Sequence, residues 1–145
     1  MNSTRTGALM LSFLVISFLG FADSLYLSVT HYLNATPSCF IAKGCDIVTT
    51  STYSEIFGFP VAFLGVTYYL LLIVLAIIYL DKKKNKVFKL LPWVTTLGVT
   101  TSLWLLYVQV FILKSLCSYC IISAFISITL FVIAVVILKF YSKTT

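Results

Sequence analysis

Apolar residues fall in four long runs, each able to cross about 30 Å of hydrocarbon at about 1.5 Å per residue. They extend from about Gly7 to Val29, from Pro60 to Leu80, from Leu90 to Leu113 and from Cys117 to Leu138. None has the alternation of a barrel strand, and a bilayer interior cannot solvate peptide groups, so each run predicts a transmembrane helix. Pro60 suits a first helical position, where its missing N–H leaves nothing unsatisfied, and Pro92 lies near the start of the third run. The expected fold class is an all-α membrane protein. It is one four-transmembrane-helix bundle over residues 1–145, with a long loop between helices one and two. A signal peptide competes for the N-terminus, with Arg5 as its basic region and Leu9 to Phe21 as its apolar core. The apolar stretch outruns a typical signal core and no small-x-small site closes it, so a first span is the reading adopted.

Composition strengthens that picture. Of 145 residues, 61% are hydrophobic and 10% charged, against roughly half and a quarter in soluble domains. Mean hydropathy is +1.09. A water-soluble domain, a disordered tail and a collagen-like chain are excluded. The net charge of +6 makes no nucleic-acid-binding face, because it comes from span ends and a short lysine run. Arg5, Lys82, Lys83, Lys84, Lys86, Lys89, Lys139 and Lys143 share one side of the predicted topology, and only Lys43 and Lys114 lie on the other. The excess of basic residues predicts a cytoplasmic N-terminus, 81–89 loop and C-terminus.

That orientation puts the loop from Thr30 to Phe59 outside, together with the short connection from Lys114 to Leu116. All four cysteines then lie at the outer, oxidising face: Cys39 and Cys45 in the loop, Cys117 and Cys120 at the outer end of the fourth helix. Two structural disulfides, a four-thiolate zinc site and redox exchange are the competing readings. Zinc sites usually show paired short spacings, and here one pair is Cys-x5-Cys. Cys117-Ser-Tyr-Cys120 is a Cys-x-x-Cys at a helix N-terminus, with both sulfurs on one face beside unpaired N–H groups that stabilise thiolate. A second outer pair within possible reach adds weight to exchange, since four thiols allow a relay.

These residues resemble the vitamin K epoxide reductase family in its short prokaryotic form. The resemblance rests on Cys39-x5-Cys45, the hydroxyl cluster Thr49, Thr50, Ser51 and Thr52, Gly58-Phe59-Pro60 opening the second span, and Cys117-Ser-Tyr-Cys120 opening the fourth. Asp23-Ser24-Leu25-Tyr26 also resembles the first helix of microbial members. Related bacterial quinone-linked disulfide generators place their Cys-x-x-Cys before the second helix, the reverse of the order here.

The resemblance implies catalytic roles for Cys39, Cys45, Cys117, Cys120 and Ser51. Cys120 would face the quinone ring and pass electrons to it, and Cys117 would be its resolving partner. Cys45 would exchange with Cys117, Cys39 would form a mixed disulfide with a thioredoxin-like protein, and the Ser51 hydroxyl would assist at the cysteine and quinone site. The implied cofactor is a quinone of menaquinone, ubiquinone or vitamin K type, and the implied location is a prokaryotic plasma membrane. Vertebrate members carry a tyrosine four residues after the second cysteine of the Cys-x-x-Cys. That position is Ala124 here, so the resemblance does not carry epoxide reduction over. No thioredoxin-like domain follows the fourth span in this sequence, and a separate extracytoplasmic thioredoxin-like partner is expected.

No Rossmann glycine pattern, haem motif or iron–sulfur spacing is present, so the chemistry expected rests on thiols and a quinone, with no metal. The quinone pocket should be apolar with a few polar groups, with Cys120, Ser51, Phe57, Phe59, Phe63 and Phe111 as candidate lining. Asp23 is the only acidic residue within a span, and intramembrane carboxylates are functional suspects. Gln109 reads as an interhelical hydrogen-bonding residue, His31 as an interfacial residue, and the tyrosines mostly as interfacial belt or helix contacts. The overall expectation is a membrane thiol oxidoreductase that oxidises a thioredoxin-like partner and reduces a quinone. The alternative is a small four-span transporter with structural cysteines and Asp23 as its coupling carboxylate.

Overall fold

A computed structural model describes residues 2–35, 44–82 and 85–144. Four helices have the length and apolar character to span a membrane: α1 (Asn2–Tyr32), α3 (Val61–Lys82), α4 (Asn85–Tyr107) and α5 (Ser118–Thr144). Between α1 and α3 come a short helix α2 (Cys45–Thr50), a 3-10 turn (Thr52–Ser54) and the strands β1 (Glu55–Ile56) and β2 (Phe59–Pro60). The four predicted spans are the four long helices, with boundaries moved by a few residues.

The proline positions are the exception to the expected boundaries. Pro60 sits in β2, one residue before α3 begins. Pro92 lies inside α4 rather than near its start, because the helix already begins at Asn85. Its missing N–H opens the ladder there, and nearby hydroxyls add hydrogen bonds: Thr95 Oγ1 donates to Leu91 O at 2.9 Å, and Thr96 Oγ1 to Pro92 O at 2.6 Å.

Helix α1 packs between α3 and α5, and α4 packs mainly on α5. The largest fully buried side chains, among them Met10, Phe13, Leu72, Leu91, Leu130 and Ile137, form one cluster. Five of these come from the helix halves nearest the two termini and the α3–α4 connection, and Leu130 lies at the middle of α5. At the opposite end the helices carry Asp23, Gln109 and the Cys-x-x-Cys, and the loop with α2 lies there. Dense apolar packing therefore occupies one half of the bundle and leaves the other half for a site.

The strands pair antiparallel, Glu55 with Pro60 and Ile56 with Phe59. Phe57 and Gly58 form the two-residue turn at φ 53° and 81°, the left-handed conformations that such a turn requires. Glycine adopts this readily; at Phe57 it costs strain and turns the ring fully outward, 99% exposed.

Candidate functional site

The site is built where α4 ends irregularly. Its last turn, Val108–Ile112, is π-helical, with Leu113 N donating to Val108 O at 2.9 Å. Lys114 adopts φ 50°, and Ser115 N donates back to Gln109 O at 3.0 Å. The chain thus folds over its own helix end and delivers Cys117 to Gln109. The Cys117 N–H donates to Gln109 Oε1 at 3.1 Å, and the Gln109 side chain also hydrogen-bonds the Cys120 thiol. Gln109 is only 2% exposed. One buried amide therefore holds both ends of the Cys-x-x-Cys. Sequence reasoning placed Gln109 between helices without this role.

Cys117 is fully buried one residue before α5, and its carbonyl accepts the Ile121 N–H at 3.1 Å. Both thiols are free, and Cys120 hydrogen-bonds to the Cys117 sulfur. That bond, with help from the N–H groups of Cys120 and Tyr119, outweighs burial and lowers the Cys117 pKa from 9.0 to about 7. Unpaired N–H groups of a helix N-terminus and a neighbouring S–H donor both favour thiolate.

The loop approaches this thiol pair through a glycine. Gly44, immediately before Cys45, is buried against the segment that precedes Cys117. A Cβ at Gly44 would lie 2.8 Å from Leu116 O and 2.9 Å from Leu116 N. Only a residue without a side chain lets the two backbones come this close. The residues just before Cys45 and just before Cys117 are therefore in contact. The Cys45 side chain and the whole of Cys39 lie outside the described residues.

Beside the thiols, in the half of the bundle away from the apolar cluster, lies a cavity of about 410 Å³, within the usual range for small-molecule sites. Cys120, Ser51, Asp23, Gln109 and His31 line it, among mostly apolar neighbours such as Leu27, Val61, Leu97 and Leu105. Ser51 donates to Val48 O at 2.9 Å and caps the following turn by accepting Ser54 N at 3.0 Å through its carbonyl. His31 Nε2 is 3.2 Å from Glu55 Oε1, tying the end of α1 to β1. Across the cavity wall, Tyr69 Oη hydrogen-bonds Ser123 Oγ at 3.0 Å and Ser127 Oγ at 3.2 Å. Ser127 in turn receives Ser102 Oγ at 3.2 Å. The Asp23 Oδ2 and Tyr68 Oη atoms are shielded from solvent and find no hydrogen-bond partner among the described residues.

The structure thus gathers Cys120, Ser51, Asp23 and Gln109 around one space, with Cys117 held behind Cys120 and Gln109. It does not gather the expected aromatic lining. Phe57, Phe59, Phe63 and Phe111 are all exposed, and none lines the cavity. Phe57 and Phe59 belong to the outward hairpin, Phe59 stacks on Phe63 at 6.3 Å, and Phe111 faces outward from the π-helical turn. Ala124 is buried and does not line the cavity either. The wall includes instead Tyr68 and Tyr69, which the sequence reads as belt or helix contacts, and Ser102, Ser123 and Ser127, which it does not single out. The available signal was the recurrence of serines one turn apart within an apolar span, at 123 and 127, which points one helix face toward polar partners.

No curated protein matches the chain. The family described as "Vitamin K epoxide reductase family" matches residues 11–135, nearly the whole chain and all four spans. That family is a membrane helical bundle with redox function, which sets aside the transporter reading. With its four membrane-crossing helices and a thiol pair opening the last, the chain belongs to the vitamin K epoxide reductase family.

Proposed function

We propose that this membrane redox enzyme carries electrons from an extracytoplasmic thioredoxin-like protein to a membrane quinone, in the direction of disulfide formation. The route runs through Cys39 and Cys45, then Cys117 and Cys120. The observation that carries it is the backbone contact between Gly44 and Leu116, one residue before Cys45 and Cys117 respectively. Sulfur exchange needs a thiolate within reach of a disulfide sulfur, and neighbouring backbones favour such reach.

Each step conserves electron pairs. The Cys45 thiolate attacks Cys117 of a Cys117–Cys120 disulfide, and Cys120 leaves and takes a proton. Cys39 then attacks Cys45, forming the loop disulfide and releasing Cys117. With its pKa lowered to about 7, Cys117 is a good leaving thiolate, stabilised by the Cys120 S–H and the α5 N–H groups. The partner's dithiol reduces the Cys39–Cys45 disulfide, through a mixed disulfide at Cys39. A bound quinone supplies a two-electron, two-proton acceptor. The cavity suits it: it is apolar over most of its wall, and it has two orphaned polar atoms and Cys120 at its edge. Ser51 offers a hydroxyl oxygen at the same wall. Quinone couples lie well above thiol couples, and 30 mV is worth about 1.4 kcal/mol for two electrons, so net flow favours partner oxidation.

Among the described residues, six of the seven basic ones, Arg5, Lys82, Lys86, Lys89, Lys139 and Lys143, lie at the end that holds the termini and the α3–α4 connection, which supports a cytoplasmic placement of that end and an extracytoplasmic site in a prokaryotic plasma membrane. The test is partner oxidation in reconstituted vesicles. Cys117→Ser and Cys120→Ser should each abolish it, and a partner lacking its own resolving cysteine should open the Cys39–Cys45 disulfide and stay trapped on Cys39 as a mixed disulfide. Wild-type rates in both helix variants would end the reading.

A further inference from the structure

The proposed relay accounts for the thiols but leaves two cavity groups without a task. Asp23 is a carboxyl group inside the first span, and Tyr68 brings a phenol from α3 to the same cavity. One Asp23 oxygen and the Tyr68 hydroxyl are both closed off from solvent and find no hydrogen-bond partner among the described residues. Burying a polar group without a hydrogen bond is costly, and a charge at membrane depth costs more. The site invests further in Tyr68, because the absence of a side chain at Gly98 leaves the room its hydroxyl end occupies. Asp23 also lines the same cavity as Cys120. A negative carboxylate there opposes a negative sulfur, so loss of a thiol proton favours its capture by Asp23.

We propose, resting on the quinone-reductase reading above, that Asp23 is a catalytic acid of the quinone half-reaction and that Tyr68 positions the quinone carbonyl. The neutral carboxylic acid donates a hydrogen bond to one quinone oxygen and then its proton. The Tyr68 O–H donates to a carbonyl and keeps its proton. The overall step balances: two S–H bonds break, the Cys117–Cys120 bond forms, and one electron pair and two protons pass to the quinone. Asp23 delivers one of those protons and takes a thiol proton in return, ending as it began. Asn at 23 still donates a hydrogen bond but has no proton to give, which separates binding from chemistry.

The experiment uses the full chain in nanodiscs with menadione as the quinone and a chemical dithiol as the reductant. Asp23→Asn should lower kcat by roughly 10²- to 10⁴-fold, the usual range for a general acid, with KM within about twofold of wild type. Asp23→Glu should recover part of that loss, and Tyr68→Phe should act mainly on KM. Independently of turnover, the infrared difference spectrum of menadione binding to the wild type should contain a carboxylic-acid C=O band that Asp23→Asn lacks. Closure of the Cys117–Cys120 disulfide by added diamide checks that each variant is folded. A wild-type kcat in Asp23→Asn, or identical infrared spectra for the two proteins, overturns the role of Asp23. A wild-type protein that cannot reduce menadione overturns the quinone reading itself.

Discussion

At the scale of single residues, the chemistry turns on how Cys117 and Cys120 are made unequal. Gln109 pins the Cys117 N–H and reaches the Cys120 thiol, while Cys120 hydrogen-bonds the Cys117 sulfur. The acidity of Cys117 comes first from that S–H donor and only then from the helix N-terminus. In a background carrying Cys39→Ser and Cys45→Ser, thiolate absorbance should therefore rise through about pH 7, rather than near the 8.5 of a free cysteine. The sign follows from the lowered value: thiolate predominates above about pH 7 and is lost below it. Adding Cys120→Ala removes the donor and should move the midpoint up by a unit or more, each unit being worth about 1.4 kcal/mol. An unmoved midpoint would assign the shift to the helix end instead.

At the scale of elements, two irregular segments meet. The π-helical turn and the left-handed Lys114 fold the α4–α5 connection back onto α4, and α2 enters beneath it with Gly44 against Leu116. A π-turn inserts an extra residue into a helix, and such turns are frequent at functional sites. Here it coincides with the buried Gln109, whose amide caps the next helix. Because the atoms nearest Gly44 are mostly backbone, they cannot swing aside as a flexible side chain would. Gly44→Val should displace α2. It should slow diamide-driven formation of the Cys45–Cys117 disulfide at least tenfold, scored in a Cys39→Ser, Cys120→Ser background. Closure of Cys117–Cys120 by added oxidant, measured with Gly44→Val alone, should stay near normal. Equal slowing of both reactions would indicate general unfolding instead.

At the scale of the whole molecule, the bundle is packed tightly in one half and hollow in the other. Met10, Phe13, Leu91 and Ile137 close the terminal half, while the cavity divides α1, α3, α4 and α5 in the other. A ligand in that space touches residues of all four long helices, and binding to the folded state alone stabilises it by about 2.7 kcal/mol at a hundredfold excess over Kd. Menadione should therefore raise the thermal midpoint and slow amide exchange at residues 23–32 and 118–127. Exchange at residues 130–137 should hardly change. Uniform protection along α5 would argue against a ligand confined to the outer half.

The chain's own sequence determined the number of spanning helices and the place of Cys117 and Cys120 at the start of the last one. Span length, the run of apolar residues and the start of α5 near Cys117 are local properties, which neighbouring residues specify without reference to the rest of the molecule. Asp23 also stood out in the sequence, because a carboxyl group in an apolar span is rare. Other features were invisible there for a physical reason. Lipid and a quinone cavity are both apolar surroundings, so composition could not tell an outward Phe111 from an inward Leu105, and the four chosen phenylalanines proved to face out. The contact of Gly44 with Leu116, the grip of Gln109 on both cysteines and the Tyr69 bonds to Ser123 and Ser127 join residues that local pattern cannot relate. Only helix packing and the turn at the end of α4 decided them, because there the shape of one segment sets the distance between two others.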